Sequence, residues 1–123
     1  MALAFALQAA LAFNLSCTVT ERAGPLGLSV PDRPPVTLTI TYRVDMDLRL
    51  WCSDACEGTE AVASILAGHI LLRDRTRPQG RHVIDFDPAT GRLSDAETDG
   101  DRQILRNGSC TRESFTGFPG LQA

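Results

Sequence analysis

The sequence contains no lysine: all 12 basic residues among its 123 are arginine. This absence excludes a lysine Schiff base, a lysine general base and the lysine of a phosphate-binding loop. Histidine is scarce as well, with two residues, and the net charge of −3 provides no broad basic field for nucleic acid. The length and the apolar content of 43% are those of one globular domain.

A long apolar run is also missing. The longest, Met1 to Phe13, is shorter than the roughly 20 residues of a transmembrane helix, so we expect no transmembrane segment. Its length suits a secretory signal, and Ala10-Leu11-Ala12 matches a small-x-small cleavage site. Because no basic residue precedes this run, an upstream start, atypical export and a packed N-terminal helix stay open. We expect a signal segment over 1–12, a single β domain over 13–123, and a periplasmic or secreted location.

Four cysteines are present, an even number in a short chain, which is typical of disulfides in an oxidising compartment. They allow three pairings. We favour Cys52–Cys56 as a local loop and Cys17–Cys110 as a tie between the two ends of the domain.

The strongest pattern is an alternation of apolar and polar residues from Val36 to Trp51, with the even positions apolar. Period two predicts antiparallel β-structure with one face in a core and the other in water. Sixteen residues exceed a usual strand, so we predict a turn near 45–49 that leaves the alternation intact. This places Trp51 on the polar face.

Further signals predict the other elements. Alternation predicts a first strand over 13–20, while glycine and proline clusters predict irregular structure over 21–35. Hairpin turns are predicted at Asp87 to Gly91 and at Asn107-Gly108, and a strand at 69–73. The fold class is therefore all-β: a small antiparallel barrel or sandwich of about six to eight strands, with a short helix at the N-terminus or over 59–67 left open.

Several short motifs follow one another along the chain. They are Leu15-Ser16-Cys17, Tyr42-Arg43-Val44-Asp45, Trp51-Cys52 with Cys56, Ile70 to Asp74, Ile84-Asp85, Thr90-Gly91, Gly108-Ser109-Cys110, Phe115 and Gly117-Phe118-Pro119. This order resembles a group of small exported bacterial proteins of unknown function. The resemblance implies an exported, cysteine-tied β domain and no particular activity.

Two groups of residues have the chemistry of metal ligands. Cys52, Cys56, His69 and His82 are zinc-type ligands, but twelve residues separate the histidines, whereas finger-type sites place them three to five apart. The acidic segment 95–100 resembles the start of a calcium loop, although arginine occupies the position of the bidentate glutamate. We expect no metal and no cofactor.

Binding is favoured over catalysis. Aromatic residues outside the core and an arginine-rich loop around Pro78 are typical of recognition surfaces. We predict a non-catalytic, monomeric exported domain that binds a protein or a small ligand in the cell envelope and does not bind nucleic acid. The alternative is a metal-dependent or hydrolytic enzyme that uses His69, His82 and an acidic turn over 95–101. The predicted partner-binding surface consists of Trp51, Arg73, Arg75, Arg77, Arg81, Phe115 and Phe118.

Overall fold

The computed structural model describes residues 11–27 and 30–119, so most of the predicted signal segment lies outside the described residues. The described residues form nine β-strands and no α-helix, which confirms the all-β prediction; the expected six to eight strands were too few. The strands are β1 (Ala12–Pro25), β2 (Val36–Asp45), β3 (Leu50–Ser53), β4 (Glu60–Ala61), β5 (Ser64–Leu66), β6 (His69–Arg77), β7 (Gly80–Asp87), β8 (Arg92–Asp99) and β9 (Arg102–Ser114).

Over the described ranges, the structure has no helix of the length and apolar character needed to cross a membrane.

All nine strands belong to one antiparallel sheet in the order β4-β3-β2-β1-β9-β8-β7-β6-β5. The sheet is curled into a half-barrel, and only Val62 and Ala63 separate β4 from β5. Val62 N donates to Arg49 O beside β3, and Ala63 N donates to Leu71 O in β6. The chain over 60–66 therefore connects the two outer edges of the sheet.

The hydrophobic core fills the inside of the curl. Every second side chain of β1 points inward, because successive side chains of a strand point to opposite faces. These side chains pack against inward-pointing residues of the other strands. The buried core residues are Phe13, Leu15, Cys17, Val19, Tyr42, Val44, Trp51, Val62, Ile70, Leu72, Ile84, Phe86 and Leu93.

Both predicted cysteine pairs are at disulfide distance. Cys17 lies directly opposite Cys110 in the register of β1 and β9, so this bond joins the two central strands. Cys52 and Cys56 close the short loop that follows β3.

The turn predicted near 45–49 is confirmed, but the predicted position of Trp51 on the polar face is wrong. Val44 lies opposite Trp51 in the register of β2 and β3. Residues opposite each other in an antiparallel pair share a face, so a four-residue turn exchanges the roles of even and odd positions. Trp51 consequently faces the core and is 2% exposed.

The hairpin predicted at Asn107-Gly108 is also wrong, because both residues lie within β9. Gly108 is paired with Val19 on one side and Leu93 on the other. A Cβ at Gly108 would overlap the backbone of Thr18, so glycine here permits a close approach of strands rather than a turn.

Three other local predictions have mixed outcomes. The turn predicted at 87–91 joins β7 to β8, and Gly91 takes the expected positive φ of 77°. The predicted strand at 69–73 is confirmed within the longer β6. The first five residues of the segment predicted as irregular, 21–25, continue β1, and 59–67 contains β4 and β5 rather than a helix.

Candidate binding site inside the half-barrel

A β-bulge in β6 determines which side chains enter the half-barrel. The register passes from Leu71 opposite Asp85 to Arg73 opposite Ile84, so Leu72 is an extra residue. An extra residue reverses the alternation of side chains along a strand. Leu72 is fully buried before the reversal, and the odd-numbered arginines that follow it share a face with Ile84 and His82.

We call the end of the half-barrel at which β1 ends and β2 begins the upper half. The inner surface of this half carries charged side chains. Arg106 Nε donates to Glu21 Oε2 at 2.7 Å, and Arg106 Nη1 lies 3.4 Å from Asp95 Oδ2. On its other side, Asp95 Oδ1 is 2.7 Å from His82 Nε2. Asp95 is only 4% exposed, so these partners replace the water that the carboxylate has lost.

Arg73 extends the same arrangement to β4. Its Nε donates to Glu60 Oε2 at 2.8 Å, and its Nη1 lies 3.1 Å from His82 Nδ1. The six connected side chains come from β1, β4, β6, β7, β8 and β9. We call them the inner charge network: Glu21, Glu60, Arg73, His82, Asp95 and Arg106.

The partners of His82 determine its tautomer. A guanidinium can only donate, so His82 Nδ1 accepts from Arg73. The hydrogen on Nε2 is then donated to Asp95. Both ring nitrogens are engaged, and the imidazole is fixed in orientation.

The arginines keep two carboxylates of the network, Glu21 and Glu60, ionised. Burial acts to raise the pKa of Glu21, but hydrogen bonds and charge from Arg106 and Arg33 outweigh it and lower that pKa below its ordinary value. For Glu60, the hydrogen bonds from Arg73 are the largest influence, and they also lower the pKa. Both carboxylates are therefore ionised at neutral pH.

A cleft of about 420 Å³ opens inside the upper half, and we call it the cup. Leu38, Ile40 and Tyr42 of β2 provide an apolar wall, whereas the inner charge network, apart from Glu60, provides a polar one. The lining residues are Glu21, Leu38, Thr39, Ile40, Tyr42, Trp51, Ser53, Asp54, Arg73, His82, Ile84, Asp95 and Arg106.

Trp51 also lines the cup. Its ring centroid lies 6.0 Å from that of Tyr42 and 5.3 Å from the guanidinium carbon of Arg73. Trp51 Nε1 is buried and has no hydrogen-bond partner among the residues the structure describes. Aromatic contacts thus fix the ring while its only polar group is left unsatisfied.

The seven residues of the predicted partner-binding surface do not share one surface. The predicted arginine-rich loop is in fact β6 and β7, with only Pro78 and Gln79 between them. Arg81 lies on the outer face, where it forms an ion pair with Asp74 at 3.0 Å. Arg73, Arg75 and Arg77 belong to the inner face because the bulge precedes them.

The two phenylalanines of the predicted surface cover the outer face of β3. Phe118 is 4% exposed and packs against Cys52 and Cys56, and Phe115 packs beside it with ring centroids 5.2 Å apart. Arg43 Nη1 donates to Gly117 O and fixes the same tail. Trp51 and Phe118 are thus buried residues, and their predicted exposure is wrong.

The structure brings together only part of the alternative enzyme site: His82 contacts Asp95 of the acidic segment, whereas His69 lies elsewhere. His69 Nδ1 lies 2.9 Å from Asp85 Oδ1, and the hydrogen bond to this carboxylate raises the pKa of His69. Asp85 is an odd residue of β7 and faces away from His82, so the two histidines lie on opposite faces of the sheet. Most of the predicted acidic turn 95–101 is strand β8. Within the described ranges, no group of three or more His, Cys, Asp or Glu could hold a metal ion.

Sequence reasoning missed the acidic partners in the cup. One signal was available: inward positions Phe13, Leu15, Cys17 and Val19 of the first strand continue, at the same spacing, to Glu21. The pairing of Arg106 with Glu21 depends on the register of β1 and β9, which no local pattern encodes. The resulting site offers fixed donors and acceptors beside an apolar wall, an arrangement suited to binding. No protein-family model, curated protein or solved structure matches the chain.

Proposed function

We propose that this chain is a non-catalytic binding domain of the cell envelope and that the cup is its binding site. The observation that carries this proposal is the cup itself, a cleft of about 420 Å³ in which an apolar wall from β2 faces a polar wall of fixed charges.

The state of His82 supports binding over catalysis. A general base needs a free ring nitrogen within reach of the proton it removes. In the cup, both nitrogens of His82 are already engaged by Arg73 and Asp95. The network thus supplies a rigid polar wall rather than a proton acceptor.

The two disulfides support a periplasmic or secreted location, since such bonds persist in oxidising compartments. Cys17 and Cys110 connect the central strands, so the fold that shapes the cup is strengthened by oxidation.

Trp51 is the sole tryptophan, so its indole N–H gives a single NMR resonance that reports on the cup. We would titrate the protein with acetate, N-acetyl-leucine amide and glucose as probes of three acceptor types. At least one is expected to shift the indole resonance in a saturable way. If none does, the cup is not a binding site.

A pair of substitutions locates the effect. Ser53→Phe fills the cup beside Trp51 and is expected to abolish the shift. Thr18→Phe places the same side chain on the exposed outer face of β1 and is expected to leave the shift intact. Equal loss in both variants contradicts the proposal.

A further inference from the structure

The ion pairs in and around the cup contain equal numbers of carboxylates and guanidinium groups. Each carboxylate of the inner charge network is paired with an arginine of that network or with the adjoining Arg33 or Arg75. Glu97 adds one more carboxylate, which lies 3.9 Å from Arg106. The four carboxylates and four arginines are Glu21, Glu60, Asp95 and Glu97 with Arg33, Arg73, Arg75 and Arg106. These charges therefore cancel one another.

Asp54 adds a carboxylate that this balance leaves over. It lines the cup from an exposed position at the rim, and it forms no ion pair with any residue that the structure describes. Its backbone N donates to Thr41 O at 2.7 Å, and its Oδ1 accepts from Thr41 N at 3.2 Å. The disulfide between Cys52 and Cys56 closes the loop that contains it. The rim of the cup thus holds one uncompensated negative charge in a fixed position.

Tyr42, which also lines the cup, carries a second unsatisfied polar group. The residue is 2% exposed, and its hydroxyl forms no hydrogen bond with any residue that the structure describes. Burial and the charges of Asp95 and Asp54 raise the pKa of Tyr42, so the hydroxyl stays protonated and lies within electrostatic reach of both carboxylates. A protonated hydroxyl can accept a hydrogen bond as well as donate one. Tyr42 therefore offers an acceptor to a ligand.

The rest of the lining suits a cation that carries an apolar body. The faces of aromatic rings attract cations, and the guanidinium carbon of Arg73 already lies 5.3 Å from the ring centroid of Trp51. Leu38 and Ile40 add apolar surface from β2. The volume of about 420 Å³ falls within the range of about 300–1,000 Å³ that is typical of small-molecule sites.

From these observations we infer that the ligand of the cup is a small organic amine with one ammonium group on an apolar body. The ammonium group donates to the Asp54 carboxylate at the rim and to the Tyr42 hydroxyl, and the apolar body lies against the wall that β2 provides. A carboxylate in the place of the ammonium group would be repelled by Asp54. This inference rests on the proposed function and specifies its ligand class.

The test compares three probes that share one branched apolar body and differ in charge: isoamylamine, isoamyl alcohol and isovalerate. The indole resonance of Trp51, the sole tryptophan, is the readout. The titrations are run at about pH 8, above the ordinary imidazole pKa of about 6.5, where an alkylamine keeps its proton. Isoamylamine is expected to bind about tenfold more tightly than isoamyl alcohol, the effect of one charge-assisted hydrogen bond. Isovalerate is expected to give no saturable shift.

A substitution at the rim locates the preference for the amine. Asp54→Asn removes the charge but keeps the oxygen that accepts from Thr41 N, and asparagine tolerates the φ of 48° at this position. It is expected to weaken isoamylamine about tenfold and to leave isoamyl alcohol unchanged. Asp47→Asn is the matched control, because it makes the same change at an exposed position in the turn between β2 and β3. It should leave the binding of both probes unchanged.

Two results would overturn the inference. The first is that isoamyl alcohol or isovalerate binds the original protein as tightly as isoamylamine, which decides the question without any variant. The second is that Asp54→Asn retains the full preference for the amine. If Trp51 still responds to N-acetyl-leucine amide or glucose in either case, the cup is a binding site for another kind of ligand and the proposed function survives. If Trp51 responds to no probe of either set, both proposals fail.

Discussion

Arg106 forms ion pairs with three carboxylates, more than any other side chain described above. It lies 2.7 Å from Glu21, 3.4 Å from Asp95 and 3.9 Å from Glu97. Glu21 and Asp95 are both buried, and a buried carboxylate that loses its counterion keeps the full cost of its desolvation. Arg106 therefore supports two of the buried carboxylates that line the cup.

We predict that Arg106→Leu lowers the free energy of unfolding by about 3 kcal/mol, because Glu21 and Asp95 each lose a buried counterion and keep only Arg33 and His82 as partners. Urea denaturation measures this loss. Arg81→Leu is the matched control: it breaks an exposed ion pair with Asp74 on the outer face and should cost less than about 1 kcal/mol. Similar losses in the two variants would show that the inner charge network contributes no more to stability than an exposed ion pair.

The pH dependence of stability is expected to involve Glu60. Its folded pKa lies below the ordinary value of 4.5 because of the hydrogen bonds from Arg73. The stabilising contribution is complete above that ordinary value and is lost as pH falls through the lower folded pKa. Glu60→Gln should flatten the acid limb of a curve of melting temperature against pH. Glu57→Gln, at an exposed position, should leave the curve unchanged.

At the scale of elements, pairing between strands decides features that local patterns miss. The bulge at Leu72 turns Arg73 and Arg75 into the half-barrel, and the tight contact at Gly108 lets β1 approach β9. Both features exist only because a neighbouring strand fixes the register. Substitutions at such positions test the pairing directly.

We predict that Gly108→Ala destabilises the protein by about 1–3 kcal/mol, since the new methyl group would overlap the backbone of Thr18 and force β1 and β9 apart. Thermal unfolding measures the shift. Gly58→Ala makes the same chemical change where a Cβ meets nothing within 4 Å, and its effect should be close to zero. Equal melting temperatures for the two variants would contradict the close packing of β1 on β9.

The elements that could be predicted from the sequence are those with local causes. The turn after Asp45 and the hairpin at Asp87 to Gly91 follow from strand length and turn residues, and the structure has both. The inward positions of Trp51 and Arg73 could not be predicted, because a turn and a bulge each reverse the alternation. The cup could not be predicted either, because Glu21, Asp95 and Arg106 come together only through the pairing of strands that are distant in the sequence.

At the scale of the whole molecule, the first and last strands form the centre of the sheet. β1 pairs with β9 over thirteen positions, from Phe13 opposite Ser114 to Pro25 opposite Arg102. β2 and β8 continue the sheet on the two sides, and the 60–66 chain connects the outer edges. The Cys17–Cys110 disulfide thus joins the two halves where they meet.

We predict unequal effects of the two disulfides on stability. The loop closed by Cys17 and Cys110 spans 93 positions, which corresponds to about 4.5 kcal/mol in the chain-entropy model. The loop closed by Cys52 and Cys56 spans 4 and corresponds to about 2 kcal/mol. Paired alanine substitutions, compared by urea denaturation, should therefore differ in this order. A larger loss of unfolding free energy in the Cys52→Ala, Cys56→Ala double variant than in the Cys17→Ala, Cys110→Ala variant would contradict this prediction.

The central position of the terminal strands has a consequence for the folding rate. Each outer meander, β1 to β3 and β6 to β9, can form from contacts between near neighbours in the chain. The pairing of β1 with β9 joins segments that are far apart in the sequence, which raises the contact order and slows folding. During synthesis, β9 emerges after the other described strands, so one edge of β1 stays unpaired until β9 has been made. We therefore expect the unpaired edge of β1 in the nascent chain to be a site of chaperone binding.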